Sequence, residues 1–381
     1  MINGNNFNTP PPKIKVLVTP LDWGLGHATR CIPIINQLIF RGCEVIIVAS
    51  GNGYFLLKKE FPSLIILRLK GHKIRYSRRK GLLPLALLFQ STSILFSIIR
   101  ERLWLKKFLE DHDIAVVISD NRFGMFATKV SSVYITHQLS VKTGNRFTEK
   151  LAQKIHLYFI RKYSTCWVPD FKENGLAGEL SHPSIPPQNV LYIGGLSRFR
   201  KLENITKKYN VLITISGTEP QRTIFEDMLI SQIKSDPERI LFVRGLPGDT
   251  SRIESSGNIT FINHLSGDDL NTAIEESEIV VTRSGYTSVM DLVKLGKRAI
   301  LVPTPGQSEQ EYLASHLMAN KLFYCIPQDQ FSFHQALAAA STFQWNRRVF
   351  EMDEYKGFVD DLVADVHAKI LHRHTSSQST A

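Results

Sequence analysis

The feature that most constrains this chain is a rhythm. Short runs rich in branched and aromatic residues recur, each followed by a spacer long enough for a helix: KIKVLVT (13–19), EVIIVAS (44–50), LIILRL (64–69), AVVISD (115–120), SVYITH (132–137) and TCWVPD (165–170). Strands this continuously apolar are covered on both faces, and their alternation with helices makes the sheet parallel. The rhythm stops at IGGLSRFRKLENITKKY (193–209), where glycines and dense charge read as an exposed linker. It then restarts with NVLITIS (210–216), RILFVRG (239–245), NITFINH (258–264), EIVVTR (278–283), RAILVPT (298–304) and FYCIP (323–327). The expectation is α/β: two doubly wound domains, 13–199 and 200–345.

The ends read differently. Residues 1–12 lack a basic stretch leading into an apolar one, so they are expected to be a disordered lead and not a signal peptide. Residues 346–372 space Phe350, Phe358, Leu362, Val366 and Ile370 as a helix expected to pack back on the N-terminal domain, and 373–381 read as a disordered tail. At 381 residues the chain exceeds one core, and 43% hydrophobic with 21% charged residues is a globular composition. The formal charge of +11 favours anionic partners without choosing among them. Cys31, Cys43, Cys166 and Cys325 are scattered, which argues against a disulfide framework or zinc site and for a cytoplasmic setting.

Chemistry concentrates at strand ends. In TPLDWGLGHATRCIP (19–33), Gly24 and Gly26 suit a tight turn and close backbone approach, and His27 falls where a helix begins. A histidine there can take a proton from a hydroxyl, although a lone histidine is more often structural. In ITISGTEPQR (213–222), Ser216, Gly217 and Thr218 can offer N–H groups and hydroxyls to a phosphate, or simply cap a helix. Glu219 caps that helix or faces a sugar hydroxyl. In residues 280–314, Arg283, Ser284 and Gly285 repeat the strand, turn and helix; Asp291 follows two turns on, and VPTPGQSEQ carries Gln307, Glu309 and Gln310. Such carboxylates and amides suit the vicinal hydroxyls of a ribose and a sugar. Asp120, Asn121, Arg122, His137 and Gln138, at two further strand ends, are acceptor-side candidates or strand closures.

Residues 73–109 join the basic KIRYSRRKG to a long apolar stretch that Gln90, Ser91, Thr92, Ser93 and Ser97 interrupt, which argues against a membrane span. A pair of core-facing helices competes with a lipid-docking surface, with Arg75, Arg78, Arg79 and Lys80 near headgroups and Leu82 to Phe89 at the acyl boundary.

Arg283 to Gln310 together with GLGH (24–27) resembles family 28 glycosyltransferases of the GT-B fold, which includes the peptidoglycan N-acetylglucosaminyltransferase and the glycolipid synthases. The resemblance implies two Rossmann-like domains around a central cleft and transfer of a hexose or N-acetylhexosamine from a UDP-sugar to a hydroxyl acceptor, lipid-linked or part of a cell-envelope glycan. It implies His27 as base, the nucleotide base near Ile262 to Leu265, the diphosphate near Ser216, Gly217, Ser284 and Gly285, and no metal or other cofactor. In the family the ribose-binding acid is a glutamate; here it is Asp291. A peripheral position on the cytoplasmic membrane follows for a lipid-linked acceptor. GLGHATRC also resembles the GxGHxxRC loop of a UDP-sugar hydrolase of nonulosonate synthesis, in which His27 would activate water, and a nucleotide-sugar 2-epimerase shares the architecture. A nucleic-acid partner is not expected, for no recognised motif accompanies the charge.

Overall fold

The computed structural model describes residues 13–69, 71, 83–143, 145–217, 219–234, 237–251, 253–346 and 348–378. Arg75, Arg78, Arg79, Lys80, Leu82, Thr218 and the lead 1–12 lie outside them.

The N-terminal domain carries strands β1 (Lys15–Pro20), β2 (Glu44–Ala49), β3 (Ile65–Arg68), β4 (Val116–Asp120), β5 (Ser131–Ile135), β6 (Thr165–Val168) and β7 (Val190–Tyr192). They form one parallel sheet in the order β3-β2-β1-β4-β5-β6-β7. The helices are α1 (Gly26–Phe40), α2 (Gly51–Glu60), α3 (Leu83–Asp111) and α4 (Arg146–Ile160). Side chains of β1 feed two cores alternately: Val16 and Val18 pack with α1, Leu17 with α3, and all three are fully buried. This two-sided burial is why the strand reads as an unbroken apolar run. Strand β7 was not foreseen; three residues at a sheet edge leave little periodic signal.

The C-terminal domain repeats the plan with β8 (Tyr209–Thr214), β9 (Ile240–Val243), β10 (Ile259–Ile262), β11 (Ser277–Thr282), β12 (Ala299–Leu301) and β13 (Tyr324–Cys325), in the parallel order β10-β9-β8-β11-β12-β13. Its helices are α5 (Gln221–Ile233), α6 (Gly267–Glu276), α7 (Tyr286–Leu295), α8 (Ser308–Ala319) and α9 (Phe333–Thr342). In both sheets the order reverses beside the first strand. That crevice at the strands' carboxyl ends is where open α/β sheets bind ligands.

Helix α10 (Tyr355–Gln378) returns to the N-terminal domain, where Tyr355, Val359, Val363 and Val366 join the core beneath α1, and Asp360 accepts from Gln37 Nε2 at 2.6 Å and pairs with Arg41. It runs through part of the stretch expected to be a disordered tail, while Phe350 lies before it and packs on Phe171. The chain crosses between domains twice, and the crossings touch: a Cβ on Gly195 would stand 2.2 Å from Met352 Sδ.

Residues 83–111 form one helix of 29 residues, not a pair. Among the described residues, no helix is long and apolar enough to cross a membrane.

Candidate functional site

Helix α1 begins at Gly26, and His27 occupies its first turn above the end of β4. His27 Nδ1 stands 2.9 Å from Asp120 Oδ1 and 2.8 Å from Arg30 Nη2. Asp120, the last residue of β4, is fully buried and accepts from both Arg30 Nε and Nη2. Burial alone would raise the Asp120 carboxyl, but the charges and hydrogen bonds of Arg30 and His27 outweigh it and hold the group at about 2. Burial lowers the His27 imidazole below its usual value; Arg30 adds to this and Asp120 opposes it. At neutral pH His27 is therefore uncharged, the form a base requires. Asp120, an acceptor-side candidate by sequence, lies directly against the imidazole.

Gly26 makes a close approach, and what approaches is the other domain. Its carbonyl accepts from Thr287 Oγ1 at 3.2 Å, and a Cβ there would meet that oxygen at 3.1 Å. Thr287 is the second residue of α7, so the N-termini of α1 and α7 face each other with His27 alongside. Two positive helix ends in one crevice attract negative charge. By contrast, a Cβ added at Gly24, Gly217 or Gly285 would meet nothing within 4 Å. Those three turns border open space.

His137 also crosses the cleft. Its Nε2 lies 2.6 Å from Glu309 Oε1 at the start of α8, its Nδ1 3.0 Å from Arg30 Nη1, and its ring stacks on Tyr286 with centroids 4.3 Å apart. It is thus a contact between domains. Arg30, Tyr286 and Glu309 complete the centre. The arginine was the unused part of GLGHATRC, and a positively charged residue one turn after His27 was the available signal.

Other candidates make contacts of their own. Arg283 is buried: Nη1 donates to the carbonyls of Val302 and Pro303, Nη2 to that of Gln221, and the guanidinium lies 3.9 Å over the Phe225 ring. Burial lowers its pKa to about 9. It staples the ends of β11 and β12 to the start of α5. Asn121 adopts a left-handed backbone (φ 55°) and accepts from Tyr134 Oη at 3.0 Å; Arg122, 1% exposed, pairs with Glu101 of α3. Both close the strand. Gln138 uses its carbonyl to bond His156 Nε2 at 2.8 Å. Gln310 accepts from Thr304 N and donates to Gln307 Oε1, and its carbonyl accepts from Ser284 Oγ. The two amides are thus locked together beside the α7 turn. Glu219 pairs with Arg222 and accepts from Thr223 N. Asp291 accepts from Ser197 Oγ at 2.6 Å; burial raises its carboxyl to about 6 against that hydrogen bond.

A model of the glycosyltransferase family 28 C-terminal domain matches residues 253–358. An uncharacterized glycosyltransferase of Methanosarcina acetivorans is 26% identical over 323 residues, 80% of this chain and 81% of that protein. The UDP-N-acetylglucosamine–N-acetylmuramyl-(pentapeptide) pyrophosphoryl-undecaprenol N-acetylglucosamine transferase of Francisella philomiragia is 25% identical over 336 residues, 82% of this chain and 84% of that one. Among solved structures, the glycotransferase of kitacinnamycin matches with TM-score 0.60 at 11% identity, covering 94% of this chain and 96% of its own. Two Rossmann-like domains meeting at a strand-end cleft make the chain a GT-B glycosyltransferase. Within that class its residues 253–358 match the family 28 C-terminal domain.

Proposed function

We propose that the enzyme moves a hexose or N-acetylhexosamine from a UDP-sugar to a hydroxyl on a lipid-linked acceptor or cell-envelope glycan. The observation that carries this reading is the meeting of the α1 and α7 N-termini at Gly26 and Thr287, with His27 between them and Asp120 behind it. In the reading, Asp120 accepts the Nδ1–H of His27, and Nε2 takes the proton of the acceptor hydroxyl. The freed oxygen attacks the anomeric carbon as its bond to the diphosphate breaks. The departing charge meets backbone N–H groups at Ser284, Gly285, Ser216 and Gly217, so no metal ion is needed. Asp291 takes the ribose hydroxyls in exchange for Ser197. UDP as the nucleotide draws support from the name of the Francisella relative.

The lipid side draws support from two helices on the sheet face opposite α1. Leu95, Phe96, Ile99 and Leu103 of α3 are exposed, Phe96 by 74%, and so are Phe147, Leu151, Ile155 and Tyr158 of α4, Phe147 by 78%. Each set follows helical spacing, with Lys106, Lys107, Lys150, Lys154 and Lys162 nearby. Apolar stripes with basic flanks suit an anionic membrane surface and a peripheral enzyme on its cytoplasmic side.

The test is calorimetry with UDP followed by UDP release from UDP-N-acetylglucosamine, with and without a membrane lipid extract, for the wild type and His27→Ala. The expected outcome is tight UDP binding by both proteins and lipid-stimulated release by the wild type alone. Full release without lipid marks the hydrolase, and loss of UDP binding in His27→Ala marks a structural histidine.

A further inference from the structure

Arg30, His137 and Glu309 draw the base and the opposite domain into one hydrogen-bonded chain. His27 Nδ1 lies within hydrogen-bonding distance of both Asp120 Oδ1 and Arg30 Nη2, and it can serve only one. When Nδ1–H donates to Asp120, Nε2 carries a bare lone pair and can act as a base. When Nδ1 accepts from Arg30, the ring proton sits on Nε2 and His27 has nothing to receive a proton with. The position of the Arg30 guanidinium decides between these forms. Asp120 holds its Nε and Nη2; Nη1 is held by His137 Nδ1 at 3.0 Å. His137 can accept there only while its own proton is on Nε2, and Glu309, 2.6 Å away on α8, is the group that takes that N–H.

We propose that Arg30, His137 and Glu309 are positioning residues that tie the tautomer of His27 to contact between the two domains. With Glu309 seated, His137 presents Nδ1 to Arg30, the guanidinium is drawn toward His137, and His27 donates to Asp120. With Glu309 withdrawn, His137 is free to carry its proton on Nδ1, which faces an Arg30 N–H and turns the guanidinium toward His27. The base is then switched off. The closure that brings Thr287 against Gly26 thus also arms the imidazole. Among the described residues, the charged and titratable groups around His27 are Arg30 and Cys31 from α1, Asp120 from β4, His137 after β5, Tyr286 at the start of α7 and Glu309 from α8. Tyr286 donates to the Pro169 carbonyl, which leaves its ring as a flat support for His137.

The proposal rests on His27 being the base, and its test is independent of turnover. The full chain labelled with ¹⁵N-histidine is examined by long-range ¹H–¹⁵N imidazole spectra at pH 7.5, with His27 signals assigned by their loss in His27→Gln. The wild type is expected to carry the His27 proton on Nδ1. His137→Phe keeps a ring to stack on Tyr286 but deletes both nitrogens, and it should move the proton to Nε2. Glu309→Ala should do the same, while Glu309→Gln, which retains an acceptor oxygen, restores the wild-type form. An unchanged His27 tautomer in His137→Phe or Glu309→Ala overturns the coupling. If the tautomer moves as stated but His27→Ala still transfers sugar, the coupling stands and the base assignment falls.

Discussion

Asp120→Asn separates the two duties of one carboxylate. In the wild type the group is held at about 2 against an ordinary 3.8. At ~1.4 kcal/mol per pH unit, that depression corresponds to about 2 kcal/mol of stability from the ionised form. Because the folded value lies below the unfolded one, this stability is intact above about pH 4 and drains away as pH falls toward 2. Asparagine removes it and leaves Arg30, 4% exposed, without its counter-charge. Breaking one side of a buried pair costs about 3–5 kcal/mol. The kinetic effect has a separate cause. The amide oxygen is needed by Arg30, so the amide N–H₂ turns toward His27 Nδ1 and forces the ring proton onto Nε2. Loss of general-base catalysis then lowers transfer by roughly 10²–10⁴. Urea unfolding from pH 7 to pH 3 should show a gap of about 3 kcal/mol that narrows as the unfolded wild-type chain takes up the proton. UDP release in the presence of lipid extract reports the kinetic loss. A variant that is destabilised as stated yet transfers sugar at the wild-type rate refutes the orienting role. One whose stability matches the wild type at pH 7 refutes the buried pair.

Two further outcomes follow from the same geometry. Since burial raises the Asp291 carboxyl to about 6, uridine, which has no phosphate of its own to titrate, should bind more tightly as pH rises through that value. Charged hydrogen bonds of about 1.5–3 kcal/mol make the change roughly tenfold or more, and Asp291→Asn should bind weakly with no such dependence; an equal slope in both proteins removes Asp291 from the ribose site. On α4, Leu151→Glu with Ile155→Glu should lower partition onto vesicles containing anionic phospholipid at least tenfold, since each apolar side chain contributes up to ~2 kcal/mol when buried, while the thermal midpoint stays unchanged. Undiminished vesicle binding removes α4 from the docking surface.

The alternation of apolar runs with spacers disclosed both sheets because parallel strands bury both faces and write themselves as unbroken hydrophobic segments. The place of His27 was legible too: two glycines at a strand end announce a turn, and the histidine falls in the first turn of the helix that follows. What the residues around it do was not legible. Arg283, Ser284 and Gly285 have the residue types of a phosphate turn, yet the arginine side chain runs into the core over Phe225 while the glycine beside it faces open space. Sequence order cannot tell these directions apart. His137 and Glu309 lie 172 positions apart, so no local pattern could pair them. The α4 segment RFTEKLAQKIHLYFI has apolar residues on more than one side; which set meets the core depends on Tyr134 and Cys166 beneath Ile160.

The double crossing near Gly195 and Met352 limits how the enzyme can move. A single tether would leave one domain free to swivel and tilt over the other. Two tethers pressed side by side permit little except a rocking about the line they define, as two pins fix the leaf of a door. Helix α10 anchors the second pin against α1, through Val359 and Asp360. The bar that carries His27 is therefore bolted to the hinge itself, so shortening the chain before Tyr355 would loosen α1 and the pivot together.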